Sequence, residues 1–201
     1  MPIYTAFAGH ALLAAGPLAE VALAARRAAD GDAGAAVFIY EDATGRAIDV
    51  DTRGTDAEIV ARLPLPLPLP TPVEPEAEPE GSPARPRGRG RPRLGVVARE
   101  VTLLPRHWDW LAGQPGGASV ALRKLVEQAR REHAGADALR RGRDAAYTFM
   151  SAAAGNLPGF EEAVRALYAG DAERLAAHMA GWPADVRAYA LRLAGAADLP
   201  A

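Results

Sequence analysis

Cysteine is absent from this 201-residue chain, and that single absence removes disulfides, thiolate zinc sites and cysteine nucleophiles together. A reducing compartment fits such a composition. Lysine occurs once, at Lys124, so nearly all the positive charge is arginine. No apolar run approaches the roughly 20 residues of a membrane span. The start, Met1-Pro2-Ile3-Tyr4, lacks the basic region of a secretory leader. The expectation is a cytoplasmic protein with no membrane partner. Enzyme signatures are missing as well. His10, His107, His133 and His178 are scattered, with no His-x-x-x-His or His-Glu-x-x-His pair to hold a metal. Ser82, Ser119 and Ser151 are the only serines, and none sits in Gly-x-Ser-x-Gly. Gly88-Arg89-Gly90 lacks the third glycine of a dinucleotide fingerprint, and no Gly-x-x-x-x-Gly-Lys loop occurs. These absences predict no catalytic residues, no metal and no cofactor.

What is present is a segregation of charge hidden under a net charge of -2. Residues 83–133 carry 11 Arg/Lys against 4 acidic residues, whereas residues 1–63 carry 5 against 9. Residues 64–82 hold Glu74, Glu76, Glu78 and Glu80 and no cation, and residues 134–201 hold 7 basic against 8 acidic side chains. One quarter of the chain therefore holds the basic excess, which is the electrostatic footprint of a polyanion partner. Codon bias in a GC-rich genome also raises arginine, so the location of the arginines carries more weight than their number.

The apolar fraction, 49%, fills an ordinary core. Residues 3–9 alternate like a strand, and Gly16-Pro17 opens a helix over 18–29, proline being pre-organised for the first helical position. Val37-Phe38-Ile39-Tyr40 and Ala47-Ile48-Asp49-Val50-Asp51 flank the turn chemistry of Asp42-Ala43-Thr44-Gly45, a hairpin. Thr55 or Asp56 caps a last short helix over 57–63. The order β-α-β-β-α predicts a small α/β domain over residues 1–63. Repeated Leu-Pro and Glu-Pro pairs then forbid helix and deny a sheet its donors, so residues 64–94 read as a disordered linker ending in a basic arm. Residues 95–134 read as strand, helix, turn, helix, and residues 135–201 as a helical bundle of about four helices. The turns of that bundle fall at 155–159, 170–171 and 181–183, with Asn156, Asp171 and Trp182-Pro183 at cap or first-turn positions. The fold class is α+β.

Two motifs carry chemistry. In Arg89-Gly90-Arg91-Pro92, flanked by Arg87 and Arg93, arginines suit the negative potential of a narrow A-T minor groove, glycine lets the backbone lie on its floor, and proline keeps the arm extended. This resembles an AT-hook. In the second motif Val101 and Leu103 share one strand face and Glu100 and Thr102 the other. Pro105 starts a helix with Trp108, Leu111 and Ala112 on one side, and Gln114-Pro115-Gly116-Gly117 breaks it. Ala118 or Ser119 opens another helix with Ala121, Leu122, Leu125, Val126 and Ala129 as its apolar stripe. This pattern resembles a ribbon-helix-helix domain. The resemblance implies a homodimer whose paired strands enter the major groove with Ala98, Glu100 and Thr102 on the solvent side and Arg99 beside them among the DNA-binding residues. It also implies that amides near Gly117 to Val120, Gly117 and Ser119 among them, clamp a phosphate. Glu100 departs from the pattern, because an acid at the groove is repelled by phosphate unless it accepts from cytosine or pairs with Arg99 or Arg106.

Residues 94–111, Asn156-Leu-Pro-Gly-Phe-Glu-Glu-Ala and Trp182-Pro-Ala-Asp-Val-Arg are, further, similar to a bacterial family known only as a domain of unknown function. The whole sequence predicts a DNA-binding homodimer of the nucleoid, preferring A-T-rich DNA and serving transcription regulation or nucleoid organisation, with a protein partner on its flanking domains also open. The rival reading is an adaptor whose basic segment meets an acidic protein.

Overall fold

The computed structural model describes residues 3–31, 36–63 and 99–196. The linker expected over 64–94, with the arm residues Arg87, Arg89, Gly90, Arg91, Pro92 and Arg93, lies outside them. Among the described residues the chain forms β1 (Tyr4–Ala8), β2 (Ala11–Gly16), α1 (Leu18–Gly31), β3 (Val37–Glu41), β4 (Arg46–Ile48) and α2 (Asp56–Arg62). After the linker come α3 (Pro105–Ala112), α4 (Gly117–Ala154), α5 (Phe160–Ala169), α6 (Ala172–His178) and α7 (Ala184–Leu193). The fold is mixed α+β with one small antiparallel sheet.

The N-terminal reading lacks one strand. Ala11–Gly16 forms β2, which pairs antiparallel with β1, so the order is β-β-α-β-β-α and the sheet runs β2-β1-β3-β4. Leu12 and Leu13 are adjacent apolar residues and alanines surround them, so the period-two signal that marks a half-buried strand is missing there. The hairpin of β3 and β4 forms as the turn chemistry requires, with Ile39 opposite Ile48 and Glu41 opposite Arg46. Thr55 rather than Asp56 caps α2: its hydroxyl accepts from the Glu58 amide while Glu58 Oε2 accepts from the Thr55 amide at 2.7 Å, a reciprocal capping box.

Strand alternation sends successive side chains to opposite faces, and both faces of this sheet are covered. Ala6 and Ile39 meet Val21 and Ala25 of α1. Phe7 and Tyr40 join Phe149 of α4 and Tyr189 of α7, with ring centroids 4.5–6.0 Å apart and mostly edge-to-face. The residue segments 1–65 and 132–201 therefore make one compact unit. This differs from separate domains ending at 63 and starting at 135, because the apolar outer face of the sheet is buried by the very helices that sequence periodicity places in another domain. The other unit, residues 66–131, contains α3 and the first turns of α4, and α4 continues without a break across the expected boundary at 134.

Close backbone approach fixes the junction. Gly45, in the β3–β4 turn, has φ +66°, and a Cβ there would lie 1.9 Å from the carbonyl oxygen of Ala145 in α4. Only glycine satisfies both the left-handed conformation and that contact. In the helical layer Asp171 caps α6 by accepting from the Arg174 amide at 3.0 Å, as read. Asn156 does not cap α5; Gly159 occupies that position with no side-chain bond. Trp182 is a buried anchor whose Nε1–H donates to the Pro158 carbonyl at 2.9 Å. At the edge, the Leu12 amide of β2 donates to Asp185 Oδ2 at 2.8 Å, which occupies a donor that an open sheet edge would leave exposed.

Candidate nucleic-acid interface

The residues expected to read DNA that fall in the described part occupy 99–119. Arg99, Glu100 and Thr102 are exposed, in chain with neither helix nor strand pairing. A ladder needs partner amides and carbonyls, and among the described residues no neighbouring strand supplies them here. Glu100 has no ion pair with Arg99 or Arg106 among the described residues. Pro105 stands at the first position of α3 as read. Gly117 is the first residue of α4, but its N–H already donates to the Gln114 carbonyl at 3.0 Å, so it is spoken for before any phosphate arrives. Ser119 is exposed one turn into the helix, and its carbonyl accepts from Arg123 Nε.

The apolar stripe of this pair is covered only at its start. Leu111 is 2% exposed and Ala121 8%, whereas Trp108 is 42%, Trp110 53%, Leu125 43% and Val126 58% exposed. An eight-residue helix such as α3 is about 12 Å long, so it can shield two turns of a neighbouring helix and no more. Arg123, Lys124, Arg130 and Arg131 are exposed on the same stretch of α4, the last two paired with Glu127 at 3.2 and 3.5 Å. These surface pairs are screened and contribute little, so a phosphate can compete for either guanidinium. The segment thus exposes large apolar side chains and cations together.

The other unit holds a polar constellation that periodicity did not single out. Asp42 Oδ1 accepts from Thr5 Oγ1 and from the Tyr189 hydroxyl, each at 2.8 Å. Arg192 Nη1 lies 2.9 Å from Asp42 Oδ2, while its other terminal nitrogen donates to Thr5 Oγ1 at 3.3 Å and its guanidinium sits 4.8 Å from the Tyr189 ring centroid. Oδ2 receives no aligned hydrogen bond, so the Arg192 contact acts as an ion pair. Burial, then the Asp42 charge, push the Tyr189 hydroxyl well above its ordinary value. Tyr189 therefore keeps its proton, which it donates in the hydrogen bond to Asp42. The group ties β1, the β3–β4 turn and α7 together across 147 residues of sequence. Asp42 read only as a turn former and Tyr189 only as a core aromatic, because a tie of that separation leaves no local pattern.

Among the described residues no three histidine or acidic side chains gather in a way that could hold a metal, and no helix is long and apolar enough to cross a membrane. A bacterial family described as an uncharacterized protein conserved in bacteria, DUF2239, matches residues 3–194. The chain belongs to that family. No curated protein and no solved structure matches it. The DUF2239 match spans the sheet, residues 64–98 and the helical layer, so these stretches of sequence belong to one family.

Proposed function

We propose that this DUF2239 chain binds DNA as a homodimer, with residues 85–93 acting as a minor-groove arm and residues 96–103 as one half of an intermolecular ribbon. The observation that carries the reading is the concentration of 11 basic against 4 acidic residues within 83–133, on a segment that leaves Trp108, Leu125 and Val126 exposed. Cations next to an unburied apolar stripe serve a dimer that faces phosphate: the stripe closes on a second copy, and the arginines of both copies then line one surface. Exposed residues 99–102, without helix or strand pairing, fit a strand that gains its partner only on dimerisation. Transcription regulation or nucleoid organisation is the corresponding use.

A second reading rests on Trp108 and Trp110, since half-exposed tryptophans are the residues most enriched at protein interfaces. In that reading the segment is an adaptor for an acidic protein. A gel-shift titration on A-T-rich and G-C-rich duplexes separates the two. Salt-sensitive binding that favours the A-T duplex, and that Arg91→Ala weakens more on A-T than on G-C, supports the DNA reading. No retention of either duplex at low salt refutes it.

A further inference from the structure

Arg143, in α4, stands at the shared wall of two adjoining hollows of about 230 and 320 Å3 in the sheet-and-helix unit. The first lies among α4, the α5–α6 corner and the chain leaving α7, with Leu139, Leu167 and Leu175 as apolar wall and Gly170 as part of the floor. The second opens beside it toward Arg140, Asp144 and Tyr168. The corner is shaped for the arginine: a Cβ on Gly170 would lie 2.6 Å from Arg143 Nη2. A Cβ on Gly142 would lie 2.7 Å from the Leu193 carbonyl oxygen, so glycine there brings α4 against the end of α7.

The charges around the hollows are accounted for, with one exception. Arg140 is paired with Asp137 at 2.8 Å. Asp171 is committed to the α6 cap and to Arg174 at 3.4 Å, and Asp144 accepts from the Tyr168 hydroxyl at 3.5 Å. Arg143 is half-buried and has no hydrogen bond or ion pair among the described residues. A guanidinium carries five donors in a planar fork that matches a carboxylate edge to edge.

We infer that this is a ligand site for a small mono-anionic carboxylate with an apolar body, its carboxylate held by Arg143 and its body lying against Leu139, Leu167 and Leu175. The class follows from the wall. One uncommitted cation balances one negative charge, and Asp144 and Asp171 repel a dianion such as a phosphate monoester. The apolar side chains reward a hydrocarbon body, and the combined space falls in the range of small-molecule pockets. The lining residues all belong to 136–196 and none to residues 83–133, so the inference stands independently of DNA binding.

The test is calorimetric titration of the full chain with 3-phenylpropionate, 3-phenylpropionamide and phenyl phosphate. The acid should bind saturably with a Kd of about 1 mM or tighter, as its size allows. The neutral amide and the phosphate should each bind at least about tenfold more weakly, and Arg143→Gln should weaken the acid at least about tenfold. Equal binding of acid and amide, unchanged affinity in an Arg143→Gln variant with native circular dichroism, or no saturation by the acid would overturn the proposal.

Discussion

Replacing Gly45 by alanine should separate this architecture from two independent domains. At Gly45 two penalties coincide. A side chain in the left-handed region costs about 1–2 kcal/mol. The new Cβ would also sit 1.9 Å from the Ala145 carbonyl oxygen, and because that oxygen belongs to helix backbone it cannot rotate aside. Overpacking of this kind adds about 1–3 kcal/mol as the turn is pushed off α4. The sum, about 2–5 kcal/mol, is a large share of the roughly 5–15 kcal/mol that keeps a domain folded. Gly9 supplies the control: φ is +57°, but nothing lies within 4 Å of a Cβ there. Gly9→Ala therefore carries only the first penalty. For a chain of this size each kcal/mol moves Tm by about 2–4 °C, so thermal melts followed by far-ultraviolet circular dichroism should show a Tm loss larger for Gly45→Ala than for Gly9→Ala by at least about 2 °C. The loss should appear in the helical signal, since the turn and α4 unfold as one unit. Equal shifts for the two variants, or a Gly45→Ala protein whose helices melt as in wild type, would refute the shared core.

Asp42→Ala should destabilise by about 2–4 kcal/mol in urea, because it strands the hydroxyls of Thr5 and Tyr189 and the charge of Arg192 at once; with Asp42 13% and Arg192 45% exposed, the lower half of the range for buried pairs applies. Tyr189 has its folded-state value raised above 10.0, so the stability it contributes is complete below pH 10 and lost as pH rises through the folded value. Tyr189→Phe should flatten the alkaline limb of the stability profile, leaving a smaller dependence from Tyr40, which burial also raises; an unchanged limb would contradict the assignment. Leu125→Arg, at an exposed apolar position of α4, should convert a micromolar dimer to monomer by light scattering, and a monomeric wild type would remove the ribbon model. If roughly 6 phosphates are contacted, log affinity for duplex DNA should fall against log salt with a slope near -5, which deletion of residues 83–93 should flatten. Removing Glu74 to Glu80 should tighten binding most at low salt, where an intrachain polyanion competes best.

Local chemistry was legible wherever a single residue type decides the backbone. The cap of α2 at Thr55 or Asp56, the proline start of α3, the Asp171 cap and the β3–β4 turn all follow from side chains acting within four residues of themselves. Charge segregation and the absence of metal or nucleophile motifs are likewise properties of the string. Residues 118–129 show where that kind of reading stops. Their stripe has core periodicity, yet Leu125 and Val126 are exposed, because periodicity states which face is apolar and not whether anything covers it. The same limit split the chain into separate domains on either side of its linker. Alternation in β1 gives two faces, but only packing puts Phe7 and Tyr40 against Phe149 and Tyr189, since an apolar face is buried by whatever surface comes nearest, however remote in sequence. Tertiary structure alone brought Asp42 to Tyr189 and Arg192 and left Arg143 beside a hollow with no hydrogen bond or ion pair among the described residues. Such sites are made by long-range contact, and their residues carry no mark of it in the chain that encodes them.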